Sequence, residues 1–329
     1  MDTEKFALGA ARDGYRGTIH VGLVNNKPDT AMRATELQFA RLLKEASGPM
    51  DVRLHLFSLR EMERGELARS RMEGFYADAD TLPTAGIDAL IVTGAEPQAA
   101  DLRAESCWDA LADLMNWAET GTISSVFSGR AAHAAVLHLS GISRQRLPRK
   151  LSGVFTAERH GEDPLLKGMQ PKIQVPHSRD HTIAESELVS RRYRILSRLV
   201  EGGVDSFARV MPGRSLFLFL QGHPEYGAET LGREYLRDMG RFLRGESRER
   251  PAIPSNYFDR ATENALAGLE TEALAPEDWA RYSGIISGAL PLQSWHRHTT
   301  KLFANWLALV ATEKVRRMVH PSSRKKLRA

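Results

Sequence analysis

Short apolar runs and helical stripes alternate along the first 140 residues. Thr18–Val24 (TIHVGLV) predicts a strand, closed by the polar turn Asn25–Asp29. Leu37, Phe39, Ala40, Leu42 and Leu43 then predict a helix over 33–46. Val52–Leu59 alternates as VRLHLFSL, the period of a half-buried strand. Ile87–Val92 is a buried-strand run that ends in Thr93-Gly94-Ala95-Glu96-Pro97. Trp108, Leu111, Ala112, Met115 and Ala118 recur at helical spacing. A short strand over 123–127 runs straight into an alanine-rich helix over 131–139. Later come the apolar run Ser215–Leu220, a helix over 230–243 and a last amphipathic helix carrying Leu302, Phe303, Trp306, Leu309 and Val310.

Strand–helix alternation of this kind predicts an α/β fold: a mostly parallel sheet with helices on both faces. Ligand sites in such sheets lie beyond the carboxyl ends of the strands. The turns at 25–29, 93–98, 127–130 and 221–226 are therefore the places to look for chemistry. Residues 1–17 are mostly polar and read as a loose arm, 18–312 as a single domain, and 313–329 as a basic tail. The Ala-, Glu- and Gly-rich stretch 260–292 reads as an insertion or a helical flap.

Composition narrows the function classes. The charges are 45 basic against 41 acidic, and the excess sits in EKVRRMVHPSSRKKLR at 313–328. That block is a solvated tail or a weak contact for an acidic partner. The rest is nearly neutral, which gives no footprint for nucleic acid. No run reaches the ~20 apolar residues that span a bilayer, so no membrane partner is expected. The single cysteine, Cys107, excludes an intrachain disulfide and a CxxC metal site, and it suits a reducing cytoplasm.

Two turns carry candidate chemistry. In Gln221-Gly222-His223-Pro224-Glu225-Tyr226, the histidine and glutamate at i and i+2 project to the same side of an extended turn. Such a carboxylate can fix the imidazole tautomer and stabilise its cation. A surface histidine satisfied by a nearby glutamate has the same pattern. Phe127-Ser128-Gly129-Arg130 lies between strand and helix, where nucleophile elbows sit with helix N–H groups ready for an oxyanion. An ordinary strand-to-helix turn with a glycine fits it equally.

Nine blocks, in order over residues 18–310, resemble the homoserine O-succinyl/acetyltransferase (homoserine O-acyltransferase) family. They are Val24–Asp29 with Ala34–Leu43, Val92–Ala95, Ala132–Ala135 leading to Gly141-Ile142, Lys150–Phe155, Pro176–Arg179, Gly222–Tyr226, Glu234–Asp238, Pro254–Phe258 and Phe303–Leu307. The resemblance implies a class I glutamine-amidotransferase-like (flavodoxin-like) fold and transfer of an acyl group from coenzyme A to the hydroxyl of homoserine. No bound cofactor is implied; acyl-CoA is a co-substrate, and relatives are commonly homodimers. In the family a cysteine takes the acyl group, a histidine activates it and a glutamate orients the histidine. His223 and Glu225 match the last two. Arg237 matches an arginine used on the amino-acid carboxylate, and Ser178 a serine lining the substrate site.

The resemblance breaks at the nucleophile. Counted back without gaps from Gly141-Ile142, the family cysteine falls on Gly129. Cys107 precedes a predicted helix and cannot replace it. Ser128 would substitute only if the turn shifted by one residue. Lys27 and Arg130 also replace a methionine and an apolar residue typical of the family, both on expected active-site turns. Three readings stay open: an enzyme with altered chemistry in which His223 deprotonates the acceptor directly, a non-catalytic amino-acid or coenzyme binding protein, and the family reaction by another route. The loop Glu96–Ala100, where Ala99 would leave room for a succinyl carboxylate, does not decide the donor.

Overall fold

The computed structural model describes residues 17–96, 99–210, 215–270, 278–289, 291 and 293–319. The expected arm up to residue 16, Pro97, Gln98 and residues 320–329 of the expected tail lie outside that set. The first part of the chain forms β1 (Thr18–Val24), α1 (Asp29–Ser47), β2 (Asp51–Ser58), α2 (Glu66–Met72), β3 (Tyr76–Asp78), β4 (Ala89–Thr93), α3 (Trp108–Gly121), β5 (Ser124–Ser128) and α4 (Arg130–Ser140). It continues through β6 (Gln145–Arg159), β7 (Lys172–Thr182), α5 (Glu185–Ser190), β8 (Arg194–Leu199), β9 (Gly203–Val210) and β10 (Leu216–Leu220). Four helices follow: α6 (Thr230–Leu243), α7 (Arg260–Glu270), α8 (Trp279–Gly288) and α9 (His296–Val319).

All ten strands join one sheet in the order β3-β2-β1-β4-β5-β10-β9-β8-β6-β7. From β3 to β10 the neighbours are parallel, and from β10 onward they are antiparallel. The parallel strands are covered on both faces, as their apolar runs require. Strand β10, LFLFL, divides cleanly: Leu216, Leu218 and Leu220 pack with α1 and α9, while Phe217 and Phe219 pack with α3 and α4. This alternation brings the carboxyl ends of β1, β4, β5 and β10 side by side.

The apolar pattern does not announce α2 or β3, and it differs from the observed elements further at α1, at 145–210 and at the expected tail. Helix α1 starts at Asp29, four residues before the expected 33, because its first turn is polar and the apolar stripe begins only at Met32. The segment 145–210 carries four strands that the apolar pattern does not announce. Strand β6 is half-exposed and charged over much of its length, so period-two alternation is blurred. The stretch 260–292 contains α7 and α8, whose Leu266, Leu269 and Tyr282 pack with Leu231, Tyr235 and Met239 of α6 and with Trp295. Finally, α9 runs through residues 313–319 of the expected tail. Glu313 binds Arg316 and Arg317 one turn on, at 2.7 and 3.1 Å, the (i, i+3) and (i, i+4) pairing that supports a helix end.

Candidate active site

The turns after β1, β4, β5 and β10 open into one cavity of about 720 Å³. It receives Lys27 from the first turn, Gly94 from the second, Gly129 and Arg130 from the third, and His223 from the fourth. Ser178 of β7 and Arg237 of α6 complete the wall. Thus Lys27, Gly129, Arg130, Ser178, His223 and Arg237 are brought together, while Glu225 and Ser128 sit behind the lining.

His223 is held from several sides. Its Nδ1 lies 3.0 Å from Glu225 Oε1. Its ring stacks on Tyr226 with centroids 4.4 Å apart, and its backbone N–H donates to Pro176 O at 2.8 Å. Burial pushes the Glu225 carboxyl upward, but the charge and hydrogen bond of His223, with Lys27 nearby, more than offset it and leave the group below the ordinary carboxylate range. An ionised Glu225 only accepts, so the proton sits on Nδ1 and the Nε2 lone pair is free to act as a base.

Gly129 forms the elbow. Its φ of 60° and ψ of −121° place it between the last residue of β5 and the first of α4, a conformation that glycine adopts without a Cβ penalty. A Cβ built there would fall 2.6 Å from His223 Cε1 and 3.0 Å from Nε2. The elbow and the base are therefore in contact, and the imidazole fills the space that a nucleophilic side chain would enter. Gly94 lets the neighbouring strand end approach equally closely, since a Cβ there would lie 2.9 Å from Arg130 N.

Ser128 faces the other way. As the last residue of β5 it is fully buried, and its hydroxyl donates to Glu225 Oε1 at 3.1 Å. It supports the glutamate from behind instead of presenting a hydroxyl to the cavity. Cys107 is buried at the start of α3, outside the cavity lining, and burial raises its thiol pKa.

Arg237 is half-exposed on α6 and pairs with Asp238 at 2.8 Å, which in turn binds Lys150 at 2.7 Å. Ser178 lies beside Glu234, whose Oε1 also accepts from Tyr226 at 2.7 Å. Burial raises Glu234, but these hydrogen bonds and the charges of His223 and Lys27 bring it below the ordinary carboxylate range. The side chain of Glu234 thus links the stacked Tyr226 to the wall that carries Arg237. Apolar pattern and spacing did not separate it from an ordinary helix-surface glutamate, although it opens the Glu234–Asp238 block of the family resemblance.

A second polar layer, also missed in the sequence, lies under the β10 turn. Gln221 accepts from Ile183 N at 3.2 Å and Arg179 Nη1 at 3.4 Å, meets His133 Nε2 at 3.1 Å, and donates to Val204 O at 2.6 Å. Arg179 also donates to His177 Nδ1 at 3.2 Å, whose Nε2 faces Asp205 at 3.1 Å. Burial pushes His133 down to about 3 and lowers His177, so both stay neutral. This layer anchors the start of the turn that carries His223. Its members come from the β7, β9 and α4 regions, too far apart in sequence for any local pattern to join them.

A sequence model of the homoserine O-succinyltransferase family matches residues 9–316. The homoserine O-succinyltransferase of Rhodopseudomonas palustris is 48% identical over 310 residues, covering 92% of this chain and 91% of the relative. That of Bradyrhizobium japonicum is 46% identical over 303 residues, covering 92% of each chain. Among solved structures, a glutamine amidotransferase from Methylobacillus flagellatus aligns with a TM-score of 0.48 at 12% identity, over 89% of this chain and 94% of that one. With the match spanning nearly its whole length, the chain belongs to the homoserine O-succinyltransferase family.

Proposed function

We propose that the protein moves an acyl group from a coenzyme A thioester to the hydroxyl of homoserine or a closely related amino acid, in one step and without an acyl-enzyme. The observation that carries this reading is the Nε2 face of His223, backed by Glu225 and turned toward an elbow whose residue is glycine. The acceptor hydroxyl gives its proton to Nε2 as its oxygen attacks the thioester carbonyl. The new C–O bond forms and the C–S bond breaks. The imidazolium, stabilised by Glu225, returns the proton to the leaving thiolate. The N–H groups of Arg130 and Ala131 open α4, have no intrahelical acceptor and suit a developing oxyanion. Arg237 is suited to hold the amino-acid carboxylate through its planar fork.

General-base catalysis of this kind contributes about 10²–10⁴-fold. The test is turnover of acyl-CoA with homoserine, read as thiol release and as acyl-homoserine mass, in the native protein and in His223→Asn. Product from the native protein and loss of that order in the variant support the reading. Tight binding of both ligands with no product from the native protein would instead favour a binding role, which the missing side chain at Gly129 also suits. The resemblance further supports a homodimer in the cytoplasm; sedimentation of the purified protein tests the first. Among the described residues no helix is long and apolar enough to cross a membrane.

A further inference from the structure

One wall of the cavity carries cations that the transfer step above does not use. Arg130 follows the elbow glycine and Arg144 precedes β6, and both line the cavity. The Arg130 side chain is largely enclosed, yet among the described residues its guanidinium has no hydrogen bond or ion pair, and Nη1 is buried without a partner. Arg144 makes one hydrogen bond, from Nη2 to Ala100 O at 2.9 Å. Burial first, then the charge of Arg144, pushes Arg130 down to about 10.

The surrounding carboxylates do not neutralise the pair. Glu105, Asp180 and Glu96 attract Arg130 from a distance, and Glu105, Asp101 and Asp180 attract Arg144; Asp101 already accepts the Arg103 N–H at 3.0 Å. Glu96 is taken by Arg241 at 2.9 Å, and Glu105 accepts the Ala99 N–H at 3.1 Å. Asp180 is exposed and forms no ion pair with either arginine. Two guanidiniums on a concave, partly dry wall repel each other and leave rigid donor forks unfilled. That arrangement is costly unless an anion completes it.

We propose that Arg130 and Arg144 form an anion subsite that takes the terminal carboxylate of a dicarboxylic acyl group, with Arg130 as its principal ligand. The assignment rests on the acyl-transfer reading, which puts the thioester carbonyl at the elbow beside His223. Arg130 is the next residue after Gly129, so its guanidinium lies within one side-chain length of that carbonyl. A short acyl chain reaches that far. The phosphates of the coenzyme are a whole pantetheine arm away from the thioester, too far to meet a group one side chain from the elbow unless the arm folds back. A carboxylate also matches the guanidinium fork in a two-point contact.

The test is calorimetric binding of succinyl-CoA, acetyl-CoA and free CoA to the native protein, Arg130→Met and Arg144→Met. Folding is checked by thermal melting; the Arg130 guanidinium bonds nothing internal, so Arg130→Met should melt with the native protein. The native protein should bind succinyl-CoA more tightly than acetyl-CoA. Arg130→Met should weaken succinyl-CoA by roughly tenfold to a hundredfold, the range of a charge-assisted hydrogen bond, and leave acetyl-CoA and CoA unchanged. Arg144→Met should show the same selectivity with a smaller loss. Equal weakening of all three ligands would assign the wall to a phosphate and overturn the proposal, as would no change for any of them. Absence of binding by all three to the native protein would defeat the acyl-transfer reading itself, and the subsite with it.

Discussion

The two turns that face each other across the cavity are built to different standards. On the β10 side, His223 is fixed by Glu225, Tyr226 and Pro176, and the turn beneath is tied to Arg179 and Gln221. On the β5 side, the elbow has the right backbone but carries a glycine followed by an arginine without an ion pair among the described residues. The difference separates two tasks that one catalytic centre often combines. Positioning a base needs packed neighbours, and these are present. Covalent capture needs a side chain at the elbow, and the imidazole occupies its room.

Disabling the built side should have the largest effect. His223→Asn is expected to lower kcat by about 10²–10⁴-fold; a variant that retains turnover would mean that His223 is not the base. Glu225→Gln should lower kcat less, because the imidazole remains while its orientation and cation stabilisation weaken. The acid limb of stability also changes there. The folded pKa of Glu225 is lowered from 4.5, so its contribution is present above about that pH and is lost as pH falls through the folded value. Chemical denaturation between pH 6 and 3 should show a shallower loss in the Gln variant, and an unchanged slope would mean that Glu225 is not held ionised.

Filling the vacant side asks whether the elbow still has room for a side chain. Gly129→Cys puts a Cβ at positive φ and against the His223 ring, which Tyr226 and Glu225 prevent from moving freely. The strained backbone alone costs about 1–3 kcal/mol. A lower denaturation midpoint and slower transfer are expected, instead of a gain from the new thiol. An equally stable variant that accumulates an acyl adduct would show that the elbow still accepts a nucleophile.

Two smaller effects concern the surroundings. Arg237→Ala should raise KM for the amino acid about tenfold, as loss of a charge-assisted contact would, with little change in melting temperature, because the side chain is 42% exposed and its pair with Asp238 is worth little. An unchanged KM would detach Arg237 from the acceptor site. His133 is buried neutral, its folded pKa depressed from 6.5 to about 3. The unfolded chain therefore binds the extra proton, and stability is lost as pH falls from about 6.5 toward 3. His133→Gln, which can still hydrogen-bond Gln221, should reduce that loss; a pH profile identical to native would place the titration elsewhere.

Much of this was legible in the chain. The LFLFL and ALIVT runs belong to central strands buried on both faces, where an unbroken apolar run is the signal, so the central parallel strands and their four turns could be read directly, while the short edge strand β3 could not. Helix α6 was read to the residue because its apolar stripe is sharp. The antiparallel half was not legible, since strands such as β6 are partly exposed and mix charge with apolar residues on both faces. In the site, the pairing of His223 with Glu225 is a two-residue spacing and could be inferred. The turning of Ser128 toward Glu225, 97 positions away, depends on strand pairing between β5 and β10. The layer of Arg179, His177 and Asp205 depends likewise on which strands neighbour one another, which local patterns do not encode.

Initial-velocity kinetics with acyl-CoA and homoserine varied together separate transfer through a base from transfer through an acyl-enzyme. A one-step transfer needs both substrates bound at once, so the reciprocal plots should intersect, and the protein incubated with acyl-CoA alone should keep its native mass. Parallel lines, the mark of a ping-pong route, accompanied by an acyl adduct on the chain, would show that the chain itself carries the acyl group and that His223 does not act on the acceptor alone.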